Sequence, residues 1–84
     1  MNFDIYYTRH ALQRMFERSI SDKDVQKVIE QGEIVTEYPD DKPYPSFLSM
    51  MIIDEKPLHV VFSIDDTVEK NRYIVITLYE PAQE

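Results

Sequence analysis

The hydrophobic period changes once along this chain, and it changes at the chain's only glycine, Gly32. Before it, apolar residues recur at helical spacing: Leu12, Met15 and Phe16, then Val25, Val28 and Ile29. After it they fall into short runs typical of strands, EIVTEY, FLSMMII, LHVVFSI and RYIVITLY. A period near 3.6 followed by a period near 2 divides the chain into a helical part and a sheet part. Gly32 stands where the second helix must stop, and a left-handed glycine stop is expected there.

The helix boundaries can be read from capping residues. Thr8 can cap a first helix running to about Arg18, with Leu12, Met15 and Phe16 as its buried stripe. Ser21 followed by Asp24 makes a capping box for a second helix from Asp22 to Gln31. FDIYYT, ahead of both, alternates weakly and reads as a short edge strand or an extended lead-in. The strands are separated by turn-rich segments: PDDKPYPS with its prolines, then DEKP, then DDTVEKN. The expected architecture is α+β, two N-terminal helices packed on one face of a four-stranded antiparallel meander. Leu58, Val60, Phe62 and Ile64 would meet the helices together with Ile74, Ile76 and Leu78. His59, Val61 and Ser63 would then share the other face with Tyr73, Val75, Thr77 and Tyr79. Closure of the last hairpin near Ile64 and Arg72 would set His59 opposite Thr77 and diagonal to Tyr79.

With 84 residues there is room for one domain and one core. No apolar run approaches membrane-spanning length, and MNFDIYYTRH lacks the pattern of a signal peptide, so a cytoplasmic, prokaryotic protein is expected. There are no cysteines, hence no disulfide frame and no thiolate metal site. The net charge of −7 argues against broad nucleic-acid binding. Residues 1–31 balance five positive side chains against five negative, whereas residues 32–84 carry four positive and eleven negative. The acidic part points to a basic partner. The local cationic feature is RHALQRMFER, where His10, Arg14 and Arg18 recur every helical turn.

Each candidate site residue has a plain reading beside a chemical one. His59 interrupts an apolar strand; it is either a hydrogen-bonded strand histidine or an acid–base group suited to neutral pH. Tyr73 and Tyr79 cover a sheet, or stack on bases and donate to phosphate. His10, Arg14 and Arg18 form a solvated helix face, or an anion patch in which guanidinium groups grip phosphate oxygens. Asp40–Asp41 and Asp65–Asp66 read as turn residues, since neither shows calcium-loop spacing. His10 and His59 lack the spacing of a metal pair. No phosphate loop, nucleophile elbow or dinucleotide fingerprint occurs, and no cofactor is implied.

Several segments, taken in order, resemble a known family. They are H-A-x-x-R-M-x-x-R from His10 to Arg18, S-I-S-x-x-D-V, G-E-I-V-x-x-Y-P-D-D-x-P-Y-P-S, P-L-H-V-V and I-V-I-T-L-Y-E-P. Together they resemble the bacterial and archaeal domain of unknown function 4258 family over residues 8 to 81. The resemblance implies membership of the RelE-like toxin superfamily, with its small metal-independent ribonuclease fold of RelE or barnase type. It implies a toxin-like component of a type II toxin–antitoxin pair, beside a zinc-finger, helix-turn-helix antitoxin. The family's polar positions fall here on His10, Arg14, Arg18, Ser46, His59 and Tyr79. The acidity of this chain departs from the basic character usual in such ribonucleases.

Two functions follow as expectations. In the first, RNA is cleaved without metal by attack of a 2′-hydroxyl. His59, Tyr79 and His10 would be the catalytic groups, and Arg14, Arg18, Tyr44 and Ser46 would hold RNA and phosphate. In the second, the chain is a non-catalytic interaction module that binds a basic partner. A third, self-pairing into a homodimer, would use FLSMMII as an exposed strand.

Overall fold

A computed structural model of the protein describes residues 3–67 and 71–81; residues 68–70, inside the DDTVEKN loop, and residues 82–84 of the tail lie outside the described residues. The element order is β1 (Asp4–Tyr7), α1 (Arg9–Arg18), α2 (Asp22–Gln31), β2 (Glu33–Tyr38), β3 (Ser46–Ile53), β4 (Lys56–Asp65) and β5 (Arg72–Tyr79). The strands form one sheet in the order β1-β5-β4-β3-β2. The expected four-stranded antiparallel meander is therefore corrected to a five-stranded mixed sheet. FDIYYT supplies the fifth strand, which pairs parallel to β5 from Asp4–Arg72 to Tyr7–Val75. Four weakly alternating residues that pair with the far end of the chain leave little local signal. FLSMMII is not an exposed strand: β3 lies between β2 and β4, so neither of its edges can take a second subunit.

Both caps form as the sequence requires. The Thr8 hydroxyl accepts from the Ala11 N–H at 3.1 Å and donates to the Ile76 carbonyl at 2.7 Å. The Thr8 N–H donates to the Val75 carbonyl. The Ser21 hydroxyl accepts from the Asp24 N–H. The attachment of Thr8 to β5 sets the rotation of α1 about its axis. Ala11 becomes fully buried and Met15 packs against the core, while Leu12 is 52% and Phe16 88% exposed. The expected Leu12–Met15–Phe16 stripe is thus corrected to Ala11 and Met15. A tertiary hydrogen bond, not the apolar pattern, decides which side of this helix faces inward.

The left-handed helix end falls on a different residue from the one expected. Ser19 ends α1 at φ 54°, with its N–H returned to the Met15 carbonyl. Gly32 ends α2 in extended backbone, φ −73° and ψ 168°. Its lack of a side chain serves close approach instead. A Cβ there would stand 2.4 Å from the Val28 carbonyl oxygen, 2.8 Å from Ser49 Oγ and 2.9 Å from the Met50 carbonyl oxygen. The Ser49 hydroxyl joins the same seam, donating toward the Val28 and Glu33 carbonyls at 3.3 Å each.

The core lies between the helices and one sheet face: Ala11, Val25, Val28, Leu58, Val60, Phe62, Val75 and Leu78. A β-bulge in β5 changes which residues reach it. Val61 pairs with Thr77 and Phe62 with Val75, so Ile76 is the extra residue. Beyond the bulge the parity reverses. Tyr73 and Val75 join the helix side and Ile74 moves to the other face, where an unbulged strand would have placed Ile74 inward.

Two residues in left-handed backbone make the β3–β4 turn, Asp54 at φ 51° and Glu55 at φ 70°, between the paired Ile53 and Lys56. Positive φ at both central positions suits asparagine and glycine. A non-glycine residue there costs about 1–2 kcal/mol, offset in part by glycine's larger unfolded-state entropy. Glu55→Gly is expected to stabilise the fold by about 0.5–1 kcal/mol, read as a rise of several degrees in Tm.

The first strand is also tied to α2. The Tyr7 hydroxyl donates to the Asp22 carboxylate, which accepts from Gln26 Nε2 as well. Burial, then the hydrogen bond to Asp22 and its charge, push the Tyr7 phenol well above its ordinary value of 10.0. The unfolded chain therefore loses this proton first. The contribution is complete below pH 10 and falls as the pH rises through the folded value. Comparing urea unfolding of wild type and Tyr7→Phe from pH 8 upward should show a shallower alkaline loss in the variant.

Candidate functional site on the open sheet face

Strand alternation sorts the side chains of β4. Leu58, Val60 and Phe62 meet the helices, and His59, Val61, Ser63 and Asp65 point to the opposite face. On that face β5 contributes Tyr79, Thr77, Ile74 and Arg72, β3 contributes Met50, Leu48 and Ser46, and β1 contributes Tyr6. Among the described residues neither helix packs there, since α1 lies on β5 and β1 and α2 on β3 and β4 through the core side.

His59 stands directly opposite Tyr79 and, on its other side, opposite Met50. The expected partner was Thr77. The hairpin closes at Asp65–Arg72, one residue later than expected, and the Ile76 bulge adds one more. Two single-residue shifts keep His59 on the same face but move its partner from Thr77 to Tyr79. The two rings lie 5.2 Å apart, tilted by 51°. His59 Nδ1 is buried and has no hydrogen-bond partner. An unpaired buried polar atom costs about 1–3 kcal/mol, so a molecule that completes it gains that interaction on binding.

The other end of the face is a separate polar cluster. Asp65 accepts from the Thr67 hydroxyl at 2.5 Å and the Thr67 N–H at 3.0 Å. These bonds, then the Tyr44 hydroxyl and the charge of Arg72, hold the Asp65 carboxyl below its usual value of 3.8. The Arg72 guanidinium lies 4.5 Å from the ring centre of Tyr6, a cation–π contact, with Nε buried and unpartnered. Ser46 and Ser63 are buried, with their hydroxyls 3.1 Å apart.

The sequence candidates therefore separate into three groups. His59 and Tyr79 meet. Ser46 and Tyr44 belong to the far cluster, pairing with Ser63 and Asp65, roughly 13–20 Å along β4 from His59 at about 3.3 Å per residue. His10, Arg14 and Arg18 ride on α1, whose buried Ala11 fixes it to the core side. They do not converge with His59. Arg14 is half-buried, His10 is exposed, and Arg18 lines a cleft of about 260 Å³ with Lys56, Leu58 and Glu80 at one end of the sheet. The Arg72–Tyr6 contact was missed because it spans the parallel pairing of the first and last strands, which no local pattern announces.

A family model for a domain of unknown function, DUF4258, matches residues 7–80. The chain belongs to that family. No curated protein and no solved structure matches it. Membership of DUF4258 gives no chemistry to any position, so the residue roles of this DUF4258 domain rest on its own geometry. Among its described residues no helix is long and apolar enough to cross a membrane.

Proposed function

We propose that this protein is the toxin-like half of a cytoplasmic type II toxin–antitoxin pair of the RelE-like kind, and that it cleaves RNA at the open sheet face without metal. The observation that carries this reading is the His59–Tyr79 pair, with a buried imidazole nitrogen that has no hydrogen-bond partner among the described residues, on a face that neither α1 nor α2 covers. His59 takes the proton from a 2′-hydroxyl as O2′ attacks the adjacent phosphorus. The P–O5′ bond breaks, and the Tyr79 hydroxyl supplies the proton to the leaving O5′. His10, Arg14 and Arg18 serve no role in this centre, because α1 packs against the other side of the sheet. The test is induced expression of the chain without its genomic neighbours, reading growth and RNA integrity, with His59 variants alongside.

A second reading is a non-catalytic module that binds a basic partner, and the charge of the face favours it. Among the described strand residues Arg72 is the cation this face supplies, and it lies at the far end from His59. Phosphoryl transfer gains from cations held against the developing charge, and His59 has none beside it on these strands. Normal growth and intact RNA from a folded wild-type chain would favour the module.

A further inference from the structure

The most exposed apolar strand of the molecule is also its most acidic segment. β2 forms one edge of the sheet, pairs among the described residues with β3 alone, and is exposed at five of its six residues. Ile34, Val35 and Tyr38 are 52%, 53% and 40% exposed. The segment from Glu30 to Asp41 carries Glu30, Glu33, Glu37, Asp40 and Asp41 and no lysine or arginine. The opposite edge, β1, is shorter, and its neighbour Arg72 is a cation.

Edge strands that must stay unpaired carry charge and bulges, and β2 has both, with Val35 as its extra residue opposite β3. That protection is selective. Carboxylates of one sign repel a second copy of the same strand, yet they attract an extended segment of opposite charge. The exposed Ile34, Val35 and Tyr38 offer apolar surface to the same visitor. We propose that β2 is a strand-addition site for a partner segment that is extended, carries lysine or arginine on both of its faces among apolar residues, and pairs along the free edge of Glu33–Tyr38. Main-chain hydrogen bonds would supply the affinity, and Glu33 on the His59 side and Glu37 on the helix side, set on opposite faces by the bulge, would select cations on both faces of the visitor. The site lies at the sheet edge, two strands away from His59. It deepens the partner-binding side of the reading above without depending on catalysis.

The test uses the full chain and a fluorescent eight-residue peptide that repeats Lys-Lys-Val-Val, so that lysines stand on both faces of the added strand. Two control peptides accompany it, one with glutamate for lysine and one with proline at its centre. Fluorescence anisotropy should show saturable binding of the lysine peptide, lost with either control. Glu33→Lys with Glu37→Lys should weaken it by about tenfold or more, since two attractive cross-strand pairs become repulsive. Hydrogen exchange should show new protection at β2 amides, with His59→Ala binding the peptide as wild type does. Failure of the lysine peptide to bind would overturn the proposal. So would equal binding of the proline peptide, since an acidic surface alone would accept both. Protection of β2 in the chain by itself, with concentration-dependent dimerisation, would assign the edge to a second copy and overturn it too. A folded chain that cleaves no RNA but binds the peptide would retire the ribonuclease reading and leave the edge site standing.

Discussion

His59→Ala is expected to lower RNA cleavage by about 10²–10³-fold while leaving a folded protein, because a general acid–base group typically contributes about 10²–10⁴-fold. The fold tolerates the change for a stated reason. His59 is half-buried and points away from the core that Val60 and Leu78 build. What is lost is a ring contact with Tyr79, worth about 0.5–1.5 kcal/mol. That is a Tm fall of several degrees, not collapse. His59→Gln separates the two effects. It keeps a polar side chain of similar reach but cannot carry a proton between substrate atoms near neutrality. The reading requires both variants to lose cleavage, measured on a labelled oligoribonucleotide in excess chelator. Cleavage that survives in folded His59→Gln removes His59 as the proton carrier, and wild-type cleavage that vanishes in chelator removes the metal-free mechanism. Tyr79→Phe should follow His59→Gln in direction, since it deletes the proposed donor and spares the ring.

Gly32→Ala is expected to destabilise the fold by about 3 kcal/mol, against the usual sign for a glycine in ordinary backbone. At φ −73° and ψ 168° alanine is sterically allowed. Reducing unfolded-state entropy would by itself stabilise by about 0.4–1 kcal/mol. The contacts reverse this. A Cβ at 2.4 Å from the Val28 carbonyl oxygen and 2.9 Å from that of Met50 meets backbone on both sides, which cannot swing away like a flexible side chain. The helix end must move off β3, and Ser49 loses its place against the Val28 carbonyl. Overpacking of this kind costs about 1–3 kcal/mol and sometimes more. For a domain of this size the fall in Tm would be about 12–24 °C. A thermal melt in which Gly32→Ala matches or exceeds wild type would show that the seam between α2 and β3 yields, and that this glycine is dispensable.

The elements themselves were legible where the cause is local. Thr8 and Ser21 cap because a hydroxyl reaches an N–H three residues on, and both α2 and β5 run over the residues their spacing marks. Legibility stopped wherever a distant segment decides. Phe16 looks like core by spacing, and only the tether from Thr8 to β5 turns it outward. Ile74 looks like core by alternation, and only the extra residue Ile76 sends it to the other face. Gly32 was found for its position, but the reason was a neighbour's backbone and not its own dihedral. For the site, the strand pattern placed His59 on the open face, and two single-residue register shifts that add chose Tyr79 over Thr77. The separation of α1 from that face could not be read, because the helical wheel says which residues align but not which side of a sheet they occupy.

The pairing of β1 with β5 has a consequence for how the protein comes into being. Asp4 and Thr8 find their partners at Asn71, Arg72, Val75 and Ile76, so the first strand waits for the last. During synthesis β1 precedes its partner and has no strand to pair with until β5 has been made. Closing so long a loop is slow compared with forming the β3–β4 hairpin, whose two-residue turn is local. The nascent chain must therefore carry an unpaired β1, and an α1 without its anchor, until β5 follows. Helix α1 acquires its final orientation only when β5 arrives, which makes the pairing of the first strand with the last the event that completes the domain.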